Sequence, residues 1–222
     1  MKDINIFFKE KPLKMICLGF SSGLPILLVF STLSVWLVQA GINRSTVTLF
    51  SWAGFAYAFK YLWSPLVDNY KLPFLKKLGH RKSWLLTSQI LIVIALILTA
   101  FTDPQNNLFF TALFISLLAF FSATQDILID AFRIESAPQS LQGPMSSMYI
   151  AGYRIAMLVA GAGSLWLAAF LGTEIYNQEV WKKVYVTMSI FMLIGIFATM
   201  FSNEPRIKRN LKTKNHLKFL FA

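Results

Sequence analysis

Residues Leu108–Ala131 read LFFTALFISLLAFFSATQDILIDA, and their only charged side chains are Asp126 and Asp130, close to the end of the stretch. At ~1.5 Å per residue a helix of this length measures about 36 Å, which exceeds the ~30 Å hydrocarbon core of a bilayer. Apolar side chains surround such a helix completely, whereas a helix of a soluble domain keeps one polar face. The stretch therefore predicts a transmembrane helix.

Five other segments of the chain have the same apolar character. They are Pro12–Val38, Ser45–Val67, Ser83–Phe101, Pro144–Leu171 and Val184–Phe201. The six segments take up most of the 222 residues, 56% of which are hydrophobic, so a separate soluble domain does not fit. We expect an all-α, polytopic bundle of six spans over residues 1–205, followed by a basic cytoplasmic tail over residues 206–222.

Basic residues collect in alternate loops between the predicted spans. With a cytoplasmic N-terminus, the following lie inside: Lys2, Lys9, Lys11, Lys14, Lys71, Lys76, Lys77, Arg81, Lys82, Arg133, Arg206, Lys208, Arg209, Lys212, Lys214 and Lys218. Only Arg44, Lys182 and Lys183 fall outside, in short external loops predicted at Gln39–Arg44 and Gly172–Lys183. This positive-inside bias predicts that both termini are cytoplasmic.

The net charge of +11 therefore reflects membrane topology, and we expect lipid and not nucleic acid as a partner. A single cysteine, Cys17, excludes an internal disulfide framework. Both histidines, His80 and His216, lie in basic loops, so we expect no metal site and no cofactor. The spans contain no Ser-His-Asp arrangement, which argues against an enzyme.

Four ionisable residues lie inside or close to the predicted hydrocarbon region: Lys60, Asp126, Asp130 and Arg154. A charge at the bilayer centre costs on the order of 2.5–3.5 kcal/mol, and such residues usually face a wet cavity or each other. They belong to spans two, four and five, whereas spans three and six carry none. We therefore expect spans one, two, four and five to line a cavity and spans three and six to meet lipid.

Each of these charges has more than one interpretation. Arg154 lies near the midplane and is either a cavity residue or half of a structural ion pair. Asp126 is a candidate proton carrier, because a second carboxylate one helical turn away raises its affinity for protons; the alternative is an ion pair with Lys60 or Arg154. Asp130 can instead be an interfacial anchor balanced by Arg133, and Lys60 is near enough to the boundary to snorkel.

Small residues suggest how two of the spans pack. In the fifth span they recur every four positions: Gly152, Ala156, Ala160, Ser164 and Ala168. Such a stripe allows a neighbouring helix to approach closely, which is ordinary packing in membranes. In the first span Gly19, Gly23 and Pro25 fall within two turns and predict a kink.

The loop after the second span carries a motif of a known superfamily. It reads Ser64-Pro65-Leu66-Val67-Asp68-Asn69, followed by Leu78-Gly79-His80-Arg81-Lys82. This resembles the cytoplasmic loop between helices two and three of the major facilitator superfamily. The residues that match the motif are Asp68, Gly79, Arg81 and Lys82. The resemblance implies half of a twelve-helix fold, built from two three-helix repeats.

Four stretches resemble the AmpG-type muropeptide permeases more closely. They are GFSSGLP at 19–25, WSPLVD at 63–68, ATQDILIDAFR at 123–133 and YIAGYR at 149–154. The resemblance implies proton-driven symport of anhydro-muropeptides across the bacterial inner membrane during cell wall recycling. We accordingly expect a substrate site at Arg154, Lys60, Gln125 and Tyr153, proton coupling at Asp126 and Asp130, and a conformational loop at the four motif residues above.

The chain holds one six-helix half where that family has two, so it resembles a fragment, a split gene or a decayed copy that would need a second half. A truncated or vestigial membrane protein without transport is therefore an alternative. A transporter of another anionic solute, such as an acyl-CoA, is a second one, because acetyl-CoA transporters resemble the same group.

The predicted topology can be tested by cysteine labelling in a Cys17→Ser background. A cysteine placed at Asn106 should react with a membrane-impermeant maleimide from outside, because the loop between spans three and four is external. A cysteine at Lys77 should react only after the membrane is opened. The reverse pattern would overturn the orientation.

Overall fold

The computed structural model describes residues 6–72, 78–172 and 176–205. The described residues form helices joined by short turns, which confirms the predicted all-α bundle. In chain order the α-helices are α1 (Glu10–Val29), α2 (Ser31–Gln39), α3 (Arg44–Leu49), α4 (Gly54–Ala58), α5 (Ser64–Asn69), α6 (His80–Ala100), α7 (Leu108–Ser136), α8 (Gln139–Leu158), α9 (Ser164–Phe170) and α10 (Gln178–Met200).

Five helical stretches are long and apolar enough to cross a membrane. They correspond to predicted spans one, three, four, five and six: Glu10–Gln39, His80–Ala100, Leu108–Ser136, Gln139–Phe170 and Gln178–Met200. Four of the five begin before the predicted apolar boundary and the fourth span runs beyond it. Backbone hydrogen bonding continues into the polar ends of a span, where hydropathy no longer marks the helix.

The second predicted span is not one continuous helix. Short helices α3, α4 and α5 alternate with 3-10 turns at Phe50–Ala53 and Lys60–Leu62. The backbone leaves the helical region at Phe59 (φ −98°, ψ 10°), and Pro65 in the first turn of α5 has no N–H to continue a ladder. Ser45–Val67 is therefore an irregular helical segment, and Val67 is its one fully buried residue.

The first span occupies the centre of the bundle. Helix α1 packs against α7, α8 and α10, while α6 packs against α7 and α10. Two thirds of the most apolar window of the first span is buried (67%), against 22% for the fifth span. The outer faces of α6 and α10 are apolar, with Ile94 and Phe197 among their exposed residues. That these two helices meet lipid stays a prediction.

Helices α1 and α8 are in backbone contact. A Cβ added to Gly152 would lie 2.0 Å from the carbonyl oxygen of Ile16, and one added to Gly19 would lie 2.1 Å from that of Tyr149. Gly23 lies equally close to the backbone of Tyr153. The small-residue stripe of the fifth span thus allows the predicted close approach of a neighbouring helix, and that helix belongs to the first span.

The stripe continues beyond α8 with hydrogen bonds to α2. The Thr32 hydroxyl donates to the carbonyl oxygen of Ala160 at 2.8 Å and lies 3.2 Å from the Ser164 hydroxyl. Ala160 lies in a π-turn of the fifth span at Val159–Gly163, and Ser164 follows this turn directly. The extra residue of a π-turn changes the direction of the helix.

The predicted kink of the first span is displaced along the chain. Pro25 lies inside α1 without ending it, and the interruption comes at Phe30 (φ −107°, ψ −85°), between α1 and α2. Gly19 and Gly23 are used for the contact with α8 rather than for bending.

The last predicted external loop, Gly172–Lys183, overlaps α10, which begins at Gln178. Lys182 and Lys183 lie inside α10, and Lys182 pairs with Glu179 at 3.1 Å in the first turns of that helix. Tyr176 lies just before α10, and its hydroxyl donates a hydrogen bond to Asp103 at 2.7 Å. Burial and the neighbouring carboxylate raise the pKa of Tyr176. The predicted basic tail at 206–222, with His216, and residues Lys76 and Lys77 lie outside the described residues.

The contact between α1 and α8 predicts that Gly152→Ala will destabilise the bundle. The new methyl group would overlap the Ile16 carbonyl, and overpacking costs about 1–3 kcal/mol. The free energy of unfolding in detergent micelles measures the effect. Gly143→Ala is the matched control, because Gly143 lies on the same helix with nothing within 4 Å of its added Cβ. Equal stability of the two variants would contradict the contact.

Candidate functional site

Asp126 on α7 is held by two other spans. The Ser22 hydroxyl of α1 donates a hydrogen bond to its Oδ1. The Lys60 ammonium of the second span lies 3.7 Å from its Oδ2. The side chain of Asp126 is 14% exposed and that of Lys60 is 35% exposed. Two of the four predicted intramembrane charges therefore face each other as an ion pair.

Hydroxyl groups surround this pair. The Tyr149 hydroxyl of α8 lies 2.8 Å from the Ser22 hydroxyl. Tyr57 of the second span and Tyr153 of α8 lie within electrostatic range of Asp126, and Tyr153 is also within range of Arg154. The cluster draws on four different spans.

Local structure explains how these side chains meet. The glycine contacts of α1 bring the α8 backbone against the first span, and this places Tyr149 beside Ser22. Lys60 begins a 3-10 turn. Three residues later the Trp63 indole donates to the Thr124 hydroxyl of α7 at 3.1 Å, which fixes the second span against the helix that carries Asp126.

Arg154 lies on the exposed side of α8. Its guanidinium Nη1 lies 3.9 Å from the Met157 sulfur. Among the described residues it has no salt-bridge partner, so the structural ion pair considered for it is not formed within this part of the chain. Its neighbour Tyr153 lies within electrostatic range of both Arg154 and Asp126.

Asp130 and Gln125 are arranged differently. Asp130 is half exposed and pairs with Arg133 at 3.2 Å, which is the geometry of the interfacial anchor. Gln125 is fully buried, and its amide lies 3.4 Å from the Ser21 hydroxyl in the bundle interior. The structure thus does not bring Gln125 together with Lys60, Arg154 and Tyr153.

The residues of the predicted conformational loop form a charge cluster around Arg81, at the N-terminal end of α6. Arg81 is 7% exposed and pairs with Asp68 of α5. It also makes a two-pronged contact with Glu135 of α7, through Nε to Oε2 at 3.0 Å and Nη2 to Oε1 at 2.7 Å. Lys82 donates to the carbonyl oxygen of Met200 on α10 at 2.6 Å. The loop residues therefore connect spans two, three, four and six.

Gly79 and Glu204 complete this cluster. The Glu204 carboxylate accepts the backbone N–H groups of Arg81 and Lys82, both at 2.9 Å, and so caps the positive end of α6. Gly79 has φ +95°, and a Cβ there would lie 2.4 Å from the Glu204 side chain. Both features favour glycine at this position.

Sequence reasoning missed Ser22, Tyr149, Glu135 and Glu204. Ser22 and Tyr149 lie inside stretches quoted for the family resemblance, and that was the available signal. Glu135 follows Arg133 at the end of α7, and nothing in its local pattern distinguishes it from an ordinary interfacial carboxylate.

A cavity of about 780 Å³ lies beside the Arg81 cluster. It opens between the ends of α1, α7 and α10, and Lys11, Lys14, Glu135 and Glu204 are among its lining residues. Lys60, Asp126 and Arg154 do not line it. The described residues contain no group of three or more His, Cys, Asp or Glu side chains suited to a metal ion; the absence of a metal and of a cofactor stays a prediction.

An all-helical bundle with five membrane-length helices and an ion pair between its spans defines a multi-pass membrane protein. The sequence of residues 15–222 matches the family model of the Major Facilitator Superfamily. The chain belongs to this superfamily.

Several curated relatives are named as transporters. The chain is 38% identical over 205 residues to the "Putative transporter AmpG 4" of Rickettsia felis, which covers 92% of the chain and 48% of that relative. It is 37% identical over 203 residues to the "Anhydromuropeptide permease" of Escherichia coli K12, covering 91% of the chain and 39% of that relative. The chain thus spans half or less of the length of these two relatives.

The Arg81 cluster predicts a large difference between two arginine substitutions. Arg81→Gln removes the buried guanidinium that binds Glu135 through two hydrogen bonds and also contacts Asp68, and breaking a buried pair costs about 3–5 kcal/mol. Arg133→Gln is the control and should cost less than about 1 kcal/mol, because its partner Asp130 is half exposed. Unfolding in mixed micelles measures both values. Similar losses would contradict the cluster as a stabilising element.

Proposed function

We propose that this chain forms one half of a proton-coupled permease that imports an anionic, muropeptide-like solute across the bacterial inner membrane. Membership of the superfamily and the names of the relatives support a solute transporter. The ion pair between Lys60 and Asp126 supports coupling to protons.

The contact between Lys60 and Asp126 carries the proposal. In a medium of low dielectric constant two opposite charges attract each other much more strongly than in water. A proton taken up by Asp126 removes the negative charge and with it the attraction on Lys60. Lys60 then becomes available to an anionic group of the solute. Uptake of one proton thus replaces the Asp126 carboxylate by an anionic group of the solute as the partner of Lys60.

Arg154 and Tyr153 would hold the solute on the other side of the cluster. Arg154 is exposed and carries a guanidinium group, so it would attract a carboxylate. Its neighbour Tyr153, which is within electrostatic range of Arg154 and Asp126, would donate a hydrogen bond. Gln125 would join them only if its side chain left its contact with Ser21.

The cluster around Arg81 would hold one conformation of the bundle. Its contacts tie the second span to spans three and four, and Lys82 ties the third span to the sixth. In alternating access two halves rock around a midplane site, and such polar contacts at one end would break and reform. Asp130 would have a lesser role in coupling, because Arg133 already compensates its charge.

A second six-helix half would complete the proposed solute cavity at Lys60, Asp126 and Arg154. The proposed permease therefore includes such a half, supplied by the same polypeptide or by another one. Both termini of this chain would lie in the cytoplasm, in agreement with the distribution of basic residues.

The mechanism predicts separate effects of two substitutions on uptake of radiolabelled anhydro-muropeptide. Asp126→Asn should abolish uphill, gradient-driven uptake but leave downhill exchange largely intact, because the proton carrier alone is lost. Arg154→Gln should instead weaken binding of the solute about tenfold or more, since a cation is removed from a site of low dielectric constant. Proteoliposomes that contain the chain together with a second half allow both measurements.

Asp130→Asn is the matched control, one helical turn from Asp126, and should retain most of the uphill uptake. Full uphill uptake by Asp126→Asn would refute the proton role and leave Asp126 as an ion-pair residue. Transport of an acyl-CoA in place of the muropeptide would refute the substrate class. The absence of any uptake with a second half present would favour a membrane protein without transport activity.

A further inference from the structure

We infer that Ser22 and Tyr149 are positioning residues that set the affinity of Asp126 for its proton. Through them, the charge of Asp126 also determines the hydrogen bonding of α8. The inference rests on the proposed function for its biological meaning, but not for its test. It starts from two hydrogen bonds: from Ser22 to Asp126, and between Ser22 and Tyr149.

The direction of the second hydrogen bond follows from the first. A serine hydroxyl carries one proton, and the Ser22 hydroxyl uses it to donate a hydrogen bond to Oδ1 of Asp126. The short contact with Tyr149 therefore requires the Tyr149 hydroxyl to be the donor. With Asp126 ionised, the chain of donors runs from Tyr149 on α8 through Ser22 on α1 to Asp126 on α7.

Protonation of Asp126 reverses this chain. Lys60 faces Oδ2 and can only donate, so the new proton is accommodated on Oδ1, toward Ser22. The Ser22 hydroxyl then accepts a hydrogen bond from the carboxyl group and donates one to the Tyr149 oxygen. The Tyr149 hydroxyl keeps its proton and can donate it in a hydrogen bond to another acceptor. A change of charge on α7 thus alters the donor that α8 presents.

The environment of Asp126 gives Ser22 this role. From the second span Lys60 faces the carboxylate, and Tyr57 lies within electrostatic range of it; from α8 Tyr149 and Tyr153 lie within that range. On its own helix Asp130 lies one turn away, paired with Arg133. Among the described residues around Asp126, Ser22 donates to Oδ1 and Lys60 faces Oδ2, so their effects on the two oxygens are separable.

The fold keeps the two hydroxyls in place. Gly19 contacts the backbone of Tyr149, and Gly23 contacts the backbone of Tyr153 one helical turn further along α8. Ser22 lies between these glycines and is 2% exposed. The tight contact of the two helices therefore fixes the distance between the hydroxyls of Ser22 and Tyr149.

The protonated fraction of Asp126 can be measured directly with dicyclohexylcarbodiimide, which reacts with protonated carboxyl groups. The chain is labelled in membranes at a series of pH values, and mass spectrometry follows the peptide that contains Asp126. Asp126→Asn identifies the signal. Ser22→Ala should move the labelling midpoint to higher pH by about one unit or more, because a donor to the charged form is lost.

Two further variants sharpen the test. Ser22→Thr keeps the hydroxyl and should restore the wild-type midpoint to within a few tenths of a unit. Tyr149→Phe removes the outer donor and should move the midpoint in the same direction as Ser22→Ala, but less. Ser21→Ala is the matched control, because Ser21 is an adjacent buried serine whose hydroxyl donates to the carbonyl oxygen of Leu18; its midpoint should not change.

An unchanged midpoint in Ser22→Ala, or equal shifts in Ser22→Ala and Ser21→Ala, would overturn the inference. The readout does not depend on transport. If Asp126→Asn still transports uphill while Ser22→Ala shifts the midpoint, the proposed function fails and the positioning role stands. If uphill uptake needs Asp126 but Ser22→Ala labels as wild type does, the positioning role alone fails.

Discussion

The backbone contact between α1 and α8 is the constraint on which the site depends. Gly19 and Gly23 on one helix and Gly152 on the other remove the side chains that would hold the two backbones apart. Without the hydrophobic drive of water, membrane helices associate through such close packing and through hydrogen bonds. The contact places Tyr149 beside Ser22, and Ser22 in turn meets Asp126 across the bundle. Packing of small residues therefore determines the surroundings of a charge.

Charges within the spans are stabilised by partners from other helices. Asp126 has Lys60 and Ser22, and Arg81 has Asp68 and Glu135. Each set of contacts joins different helices. For Asp126, which lies inside a predicted span, these partners replace the water that lipid does not offer. Arg154 differs from both, since it forms no ion pair with a described residue and remains exposed. Because of that contrast, Arg154 is the residue proposed to contact an anionic solute.

The second span is attached to the bundle through apolar packing and through a few polar contacts. It is irregular and little buried. Lys60 and Trp63 bind it to α7 at one level, and Asp68 binds it to Arg81 at another. A proton on Asp126 would therefore weaken one of the polar contacts of this span.

The amino-acid sequence by itself determined the number and approximate bounds of the spans, the all-α class and the stripe of Gly152 and its companions. These features follow from local hydrogen bonding and from the exclusion of polar groups by lipid, which act on each segment separately. The tertiary structure alone decided that Lys60 faces Asp126, that Gln125 turns inward and that the first span breaks at Phe30. It also decided the partners of Asp126 and Arg81. Such pairings depend on the rotation and crossing of helices, and packing against several neighbours at once sets both.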